Sequence, residues 1–243
     1  MPNTPRTKYS DQLGDVGLGS SNGPALHSEG GTAAQKNPST GVVQWYGNDA
    51  TPMGDLGPEF CQVGSEHGCE GVSAAYMLLK EEGVLFSEAE IHGDMMNVFV
   101  MRQMGQGKSL KEARDTFIDA GYGHTRGYAA KDIAAYHRMN GYEVHTFNPA
   151  KQGNYTLATL GAALEQGWQI RLGIRKPGQT QGGHAVVLKN IVPDRFGRIK
   201  EVVFFCPTQG GYLKMRAEKF RRWMISNMDY DVIYAMRKPS AAN

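Results

Sequence analysis

Apolar positions first fall into a clear rhythm at residue 69. Cys69, Val72, Ala75, Tyr76 and Leu79 recur at intervals of three and four, which predicts a helix that ends at "EEG". "SEAEIHGDMMNVFVMRQMG" predicts a second helix, with Ser87 as N-cap and Glu90 three residues on, the pairing of a capping box. "SLKEARDTFIDAG" predicts a third, from Ser109 to a stop at Gly121, and "AAKDIAAYHRMNG" a fourth. The period then changes. "YEVHTF" alternates as a strand does, and "TLATLGAALEQG" interrupts with a short helix. "WQIRLGIR", "GHAVVLKNI", "KEVVFFCP", "GYLKMR" and "DVIYAMR" read as strands separated by turn signals. No internal repeat is found. A helical half followed by an antiparallel sheet half is an α+β arrangement.

Residues 1–41 lack this patterning. They are rich in Gly, Ser, Thr, Asn and Pro and nearly free of large apolar groups. Such a segment cannot bury enough surface to offset the entropy of ordering, so a disordered tail is expected there. The folded domain is expected over 42–243. Its first apolar cluster, Val42 to Tyr46 in "GVVQWYG", reads as an edge strand or an anchor.

Composition narrows the class. The chain has 243 residues and a formal net charge of +2, so charge makes no case for nucleic acid. The cationic stretch "EKFRRWM" reads as a solvated helix face. The Met-rich "MMNVFVMRQM" reads as core filling. Three cysteines, Cys61, Cys69 and Cys206, do not make a disulfide framework, and a reducing compartment is expected before any export. No CxxC or His-x-x-x-His spacing suggests zinc, and no cofactor is expected. The N-terminus has no apolar h-region of a secretory signal, and no run approaches the roughly 18 apolar residues needed to span a membrane.

The candidate chemistry begins with Cys69. It stands at the start of the first long helix, after the glycine-bearing polar loop "QVGSEHG". Unpaired N–H groups at a helix N-terminus favour thiolate over thiol, and can also hold an oxyanion formed at a carbonyl. The same position suits a buried structural thiol. His184 leads an apolar strand in "GGHAVVLKNI", where the preceding glycines would let a substrate backbone approach. His92, His124, His137 and His145 lack that glycine framing, His27 lies in the tail, and His67 reads as a loop residue. A third element, "FFCPTQGGYLKMRAEKF", carries a strand to Cys206-Pro207, a turn, a strand and an amphipathic helix.

Three stretches together resemble the papain-like cysteine peptidases: "GCEGVSAAYMLL", "GGHAVVLKNI" and "VVFFCPTQGGYLKMRAEKFRRWM". The nearest likeness is to bacterial effector proteases of the YopT and AvrPphB kind, with AvrRpt2 and C39-like peptidases more distant. It covers about residues 60–237. The resemblance implies a papain-like fold, with the nucleophile at a helix N-terminus packed on an antiparallel sheet half. It implies Cys69 as nucleophile and His184 as general base and acid. Attack on an amide would give an acyl-enzyme that water then hydrolyses.

One position departs from the family. Where its members have Asp in Phe-x-Asp-Pro, this chain has Cys206. Three readings stay open: a working Cys–His dyad, another orienting group drawn from Asn190, Asp194, Thr208 and Gln209, or a domain that has lost catalysis. A Cys69–Cys206 disulfide would need Cα atoms within about 7 Å. For the oxyanion, the amide-bearing candidate is Gln62, with Ser65 nearer and the Cys69 backbone N–H contributing. The tail resembles export signals of type III effectors. The resemblance therefore implies a protein made in the cytoplasm, secreted, and delivered into a host cell to act on a host protein. "GDVGLGSS" resembles a self-processing site. Cleavage after Val16 would expose Gly17, with Ser21 completing a myristoylation pattern that allows lipid anchoring. The alternatives are a non-catalytic papain-like domain that binds a host protein, and a Cys–His acyltransferase, transglutaminase or deamidase.

Overall fold

Two serines start the central helices. Ser87 and Ser109 each accept a hydrogen bond from the backbone N–H of Glu90 and Glu112, and each glutamate carboxylate accepts the serine N–H in return. These reciprocal caps satisfy donors that a helix start leaves orphaned. Gly83 (φ +71) and Gly121 (φ +66) end two of the helices in the left-handed region, where a side chain would be strained. The helices of this half are α1 (Cys69–Glu82), α2 (Glu88–Gly105), α3 (Leu110–Asp119) and α4 (Ala130–Met139). The computed structural model describes residues 46–56, 69–83, 86–122, 128, 130–147, 156–179, 183–225 and 233–239. The expected tail, Gly17, Cys61, Gln62, Ser65 and the boundary at residue 42 lie outside them.

The strands are β1 (Ala50–Asp55), β2 (Glu143–Phe147), β3 (Gln169–Ile174), β4 (His184–Pro193), β5 (Ile199–Cys206), β6 (Gly211–Arg216) and β7 (Ile233–Arg237). Among the described residues they form one sheet in the order β1-β6-β5-β4-β3-β7-β2, and all neighbouring pairs are antiparallel. Two further helices, α5 (Leu157–Glu165) and α6 (Ala217–Ile225), complete the α+β architecture that the hydrophobic pattern predicted.

Side chains alternate across the sheet and build two cores. Val186, Leu188, Val202, Phe204 and Cys206 face one way, with Leu157 and Leu160 of α5 and Phe220 and Trp223 of α6. Val187, Phe205 and Met236 face the other way, under the helical half. On α6, Phe220, Trp223 and Met224 are buried while Arg221 and Arg222 are exposed, so "EKFRRWM" has the expected solvated face. Met95 fills the helical core, while Met104 at the end of α2 is exposed.

The sequence pattern does not predict β1. "ATPMGD" holds a proline and a glycine, which disfavour a ladder. The strand forms as an edge, paired among the described residues only to β6, and its register shifts between Pro52 and Gly54. The expected edge strand at 42–46 is described only at Tyr46, which is buried ahead of a 3-10 turn at Gly47–Asp49. Tyr46 is placed as an anchor, and the rest of that cluster lies outside the described residues.

Candidate active site

α1 is laid on the sheet by Tyr76. Its ring stacks on Phe205 of β5 at 4.1 Å, and its hydroxyl meets that of Tyr212 of β6 at 2.6 Å. Val72 and Ala75 extend the same buried face. The contact fixes the helix two turns below its start and so holds Cys69, at its N-terminus, close to the strand ends. Cys69 is buried, at 9% exposure.

His184 opens β4 and Cys206 closes β5. The register pairs Val187 with Phe205, which sets the beginning of one strand beside the end of the other. As a result His184 Nε2 lies 3.3 Å from Cys206 Sγ. The turn after β5 is tied to the Cys206 carbonyl, which accepts from the backbone N–H of Gln209 (3.1 Å) and Gly210 (2.9 Å). That turn carries Thr208 back until its Oγ1 is 3.5 Å from His184 Nε2. Gln209 is buried in the same turn.

Tyr46 closes the pair from the opposite end of the chain. Its hydroxyl is 3.3 Å from Cys206 Sγ, and its ring meets the His184 ring edge-on at 6.4 Å. It stacks on Trp223 at 5.3 Å and leans on Phe204 at 5.9 Å. Asp49 secures this placement. Its carboxylate accepts from Trp223 Nε1 at 3.0 Å and from Lys219 Nζ at 2.6 Å. Salt bridge and indole together hold the Asp49 carboxyl below the usual range.

Burial dominates the electrostatics. It pushes the His184 imidazole down to about 3, and the buried Arg171 guanidinium on β3 adds to the fall. The ring is therefore neutral across the physiological range. Burial also raises the Tyr46 phenol well above its ordinary value, with Cys206 and then Cys69 adding to the rise. Cys69 is thus electrostatically coupled to the same hydroxyl that touches Cys206, so the two thiols and the imidazole share one neighbourhood. The two thiols are not joined to each other as a disulfide.

The sequence-selected residues divide cleanly. Cys69, His184 and Cys206 gather around Tyr46. Of the four substitutes for the acid, Thr208 comes within hydrogen-bonding reach of His184, and Gln209 is buried in the same turn. Asn190 is exposed, six residues along β4 and roughly 20 Å from its start. Asp194 caps the distant hairpin turn, accepting from the N–H groups of Phe196 and Arg198 and pairing with the Arg198 guanidinium. Neither serves the imidazole, because a strand extends too fast for near sequence neighbours to stay near in space. The other described histidines are engaged elsewhere: His92 with Tyr128, His145 with Glu143 and Trp168, and His137 among Tyr136 and Tyr142. Tyr46 escaped the sequence reading as a site residue. Its only signal was an aromatic hydroxyl in an apolar cluster, a group that needs a partner once buried.

Among the described residues no helix is long and apolar enough to cross a membrane. No family model and no curated protein matches the chain. Among solved structures the chain is similar to the peptidase domain of Streptococcus ComA, a bi-functional ABC transporter involved in a quorum sensing pathway. That likeness has 12% identity, covers 74% of this chain and 96% of that one, and has a TM-score of 0.45.

Proposed function

We propose that the chain is a papain-like cysteine peptidase in which Cys69 attacks, His184 moves the proton, and Cys206 stands where the family places its acid. The observation that carries this reading is the 3.3 Å contact between His184 Nε2 and Cys206 Sγ. A partner on Nε2 orients the ring and leaves Nδ1 to serve the Cys69 thiol. The helix N-terminus offers backbone N–H groups to the oxyanion. The neutral imidazole acts as a general base at the moment of attack. It takes the Cys69 proton as sulfur bonds to the carbonyl carbon, then gives it to the departing amine as the C–N bond breaks. Water afterwards releases the acyl group. In this reading the protein is a secreted bacterial effector of the YopT and AvrPphB kind, cleaving a host protein. That part is supported by the resemblance of the quoted motifs and of the tail.

The thiol in place of an acid favours a second reading, a domain that keeps the cleft and binds a protein without turnover. One experiment separates the two. Cys69 is alkylated with iodoacetamide across pH 5–9 in the native protein and in His184→Ala, and labelling is followed by peptide mass spectrometry. A peptidase gives native labelling at pH 7 at least about tenfold faster than the variant. Identical slow labelling in both proteins, rising only near the ordinary thiol value of about 8.5, would leave the binding domain.

A further inference from the structure

We propose that the tip of the β4–β5 hairpin, residues 194–200, docks on an anionic phospholipid surface, with the Phe196 ring at the headgroup boundary and Arg195, Arg198 and Lys200 on the lipid phosphates. The inference goes beyond the peptidase reading and does not rest on it.

Phe196 is 65% exposed, the most exposed large apolar side chain among the described residues. Its apolar neighbours in the hairpin behave differently: Ile191 and Ile199 pack back against the core. The turn does not ask for a phenylalanine. Its order comes from Asp194, whose N–H donates to the Arg198 carbonyl at 2.7 Å and whose carbonyl accepts the Gly197 N–H at 3.0 Å. The Asp194 carboxylate accepts from the N–H groups of Phe196 at 2.8 Å and Arg198 at 3.0 Å, and Gly197 (φ +77) takes the left-handed step. A turn fixed by other residues therefore holds the ring out to solvent.

The hairpin also projects. β3 pairs with β4 as far as Leu188, and β6 pairs with β5 from Glu201, so neither neighbouring strand flanks residues 194–200. β4 runs from His184 in the candidate active site to Pro193 beside the tip, a span of about 30 Å. Charge completes the surface. Residues 184–206 carry the cations Lys189, Arg195, Arg198 and Lys200, and the acids Asp194 and Glu201. Both acids are answered within the protein, Asp194 by Arg198 at 2.9 Å and Glu201 by Lys214 at 3.6 Å. The guanidinium carbons of Arg195 and Arg198 lie 4.7 and 5.3 Å from the centre of the Phe196 ring. A ring edged by cations matches a layer in which phosphates lie above the first apolar carbons. A protein partner would need an apolar pocket with an acidic rim, whereas a bilayer offers both anywhere on its face and yields to a projecting tip. Docked tip first, the hairpin points the strand end that bears His184 away from the lipid.

Vesicle sedimentation of the full-length protein, made without any acyl chain, tests the proposal. The vesicles are phosphatidylcholine alone or an equal mixture with phosphatidylserine. The native protein is expected to bind the mixed vesicles at least about tenfold more tightly than the neutral ones. Phe196→Ser and Arg195→Glu are each expected to weaken that binding about tenfold. Arg221→Glu, on the exposed face of α6, makes the same change of charge elsewhere and is expected to stay within about twofold of native. Cys69 alkylation at the native rate in each variant shows that the fold is kept. A second measurement reads insertion itself. Phe196→Trp should add quenching by brominated phosphatidylcholine in the mixed vesicles, above the background that Trp45, Trp168 and Trp223 give in the native protein. No preference for the anionic vesicles, native binding by Phe196→Ser, equal losses in Arg195→Glu and Arg221→Glu, or no added quenching would overturn the proposal. A protein that leaves both kinds of vesicle alone would overturn it too, and would turn the search to an acidic protein partner.

Discussion

His137 and His184 are both buried, and in both burial drives the imidazole down to about 3. Their pockets differ in kind. His137 ends α4 in the helical half, with Tyr136 and Tyr142 against its ring, and burial is the whole cause of its shift. His184 stands at the strand ends with a thiol, a threonine hydroxyl and a tyrosine ring about it, and Arg171 adds its charge to the effect of burial. The same suppressed basicity thus accompanies a packing residue in one place and a candidate base in the other. What separates them is the set of polar atoms within reach, not the size of the shift.

The sharpest way to break this comparison is to remove each ring in turn. His184→Ala should slow turnover of an unstructured protein substrate by about a thousandfold, the scale of a lost general base. His137→Phe should leave it within about twofold. Comparable losses in the two variants would erase the distinction, and a proteolysis assay with purified protein at pH 7 reads both.

Acid should act on the two histidines alike. Each has a folded value near 3 against an ordinary 6.5, so the unfolded chain takes up the proton first as pH falls. The stability they permit is complete above about pH 6.5 and drains away between there and about pH 3. At pH 5 each should have cost about 2 kcal/mol. Urea unfolding at pH 7 and pH 5 measures the loss, and His137→Phe should halve it. An undiminished loss in that variant would mean that other groups govern the acid response.

The smallest expected effect lies wholly in the helical half. Ser87→Ala removes one capping box and should cost about 1 kcal/mol by thermal or chemical unfolding. Cys69 alkylation should not change. A slower alkylation rate would show that α2 helps to hold the site, contrary to the division drawn here.

Much of this was legible beforehand, for reasons that can be stated. Helices α1 to α4 and strands β2 to β7 carry strong periods and clear stops, so pattern alone placed them. The pattern also marked the element boundaries at which Cys69, His184 and Cys206 sit, whereas the roles proposed for them came from the family resemblance. β1 was not, because a Pro- and Gly-bearing strand exists only by virtue of its partner β6. Tyr46 was not, because its role comes from a contact 160 residues away that no local spacing encodes. Asn190 and Asp194 could not be told apart from Thr208 and Gln209 by sequence, because only the extended strand carries them away from His184.

The span between Tyr46 and Cys206 has a consequence for how the protein comes into being. His184 and Cys206 are only 22 residues apart and meet through a hairpin, whereas the Tyr46 contact closes a loop of 160. Loop closure over such a span carries a larger entropic cost, so the tyrosine is expected to dock after the hairpin has formed. During synthesis Cys69 leaves the ribosome more than a hundred residues before His184. A growing chain therefore carries the thiol without its base and without the Tyr46–Cys206 contact, and the complete arrangement first exists when the C-terminal strands are in place.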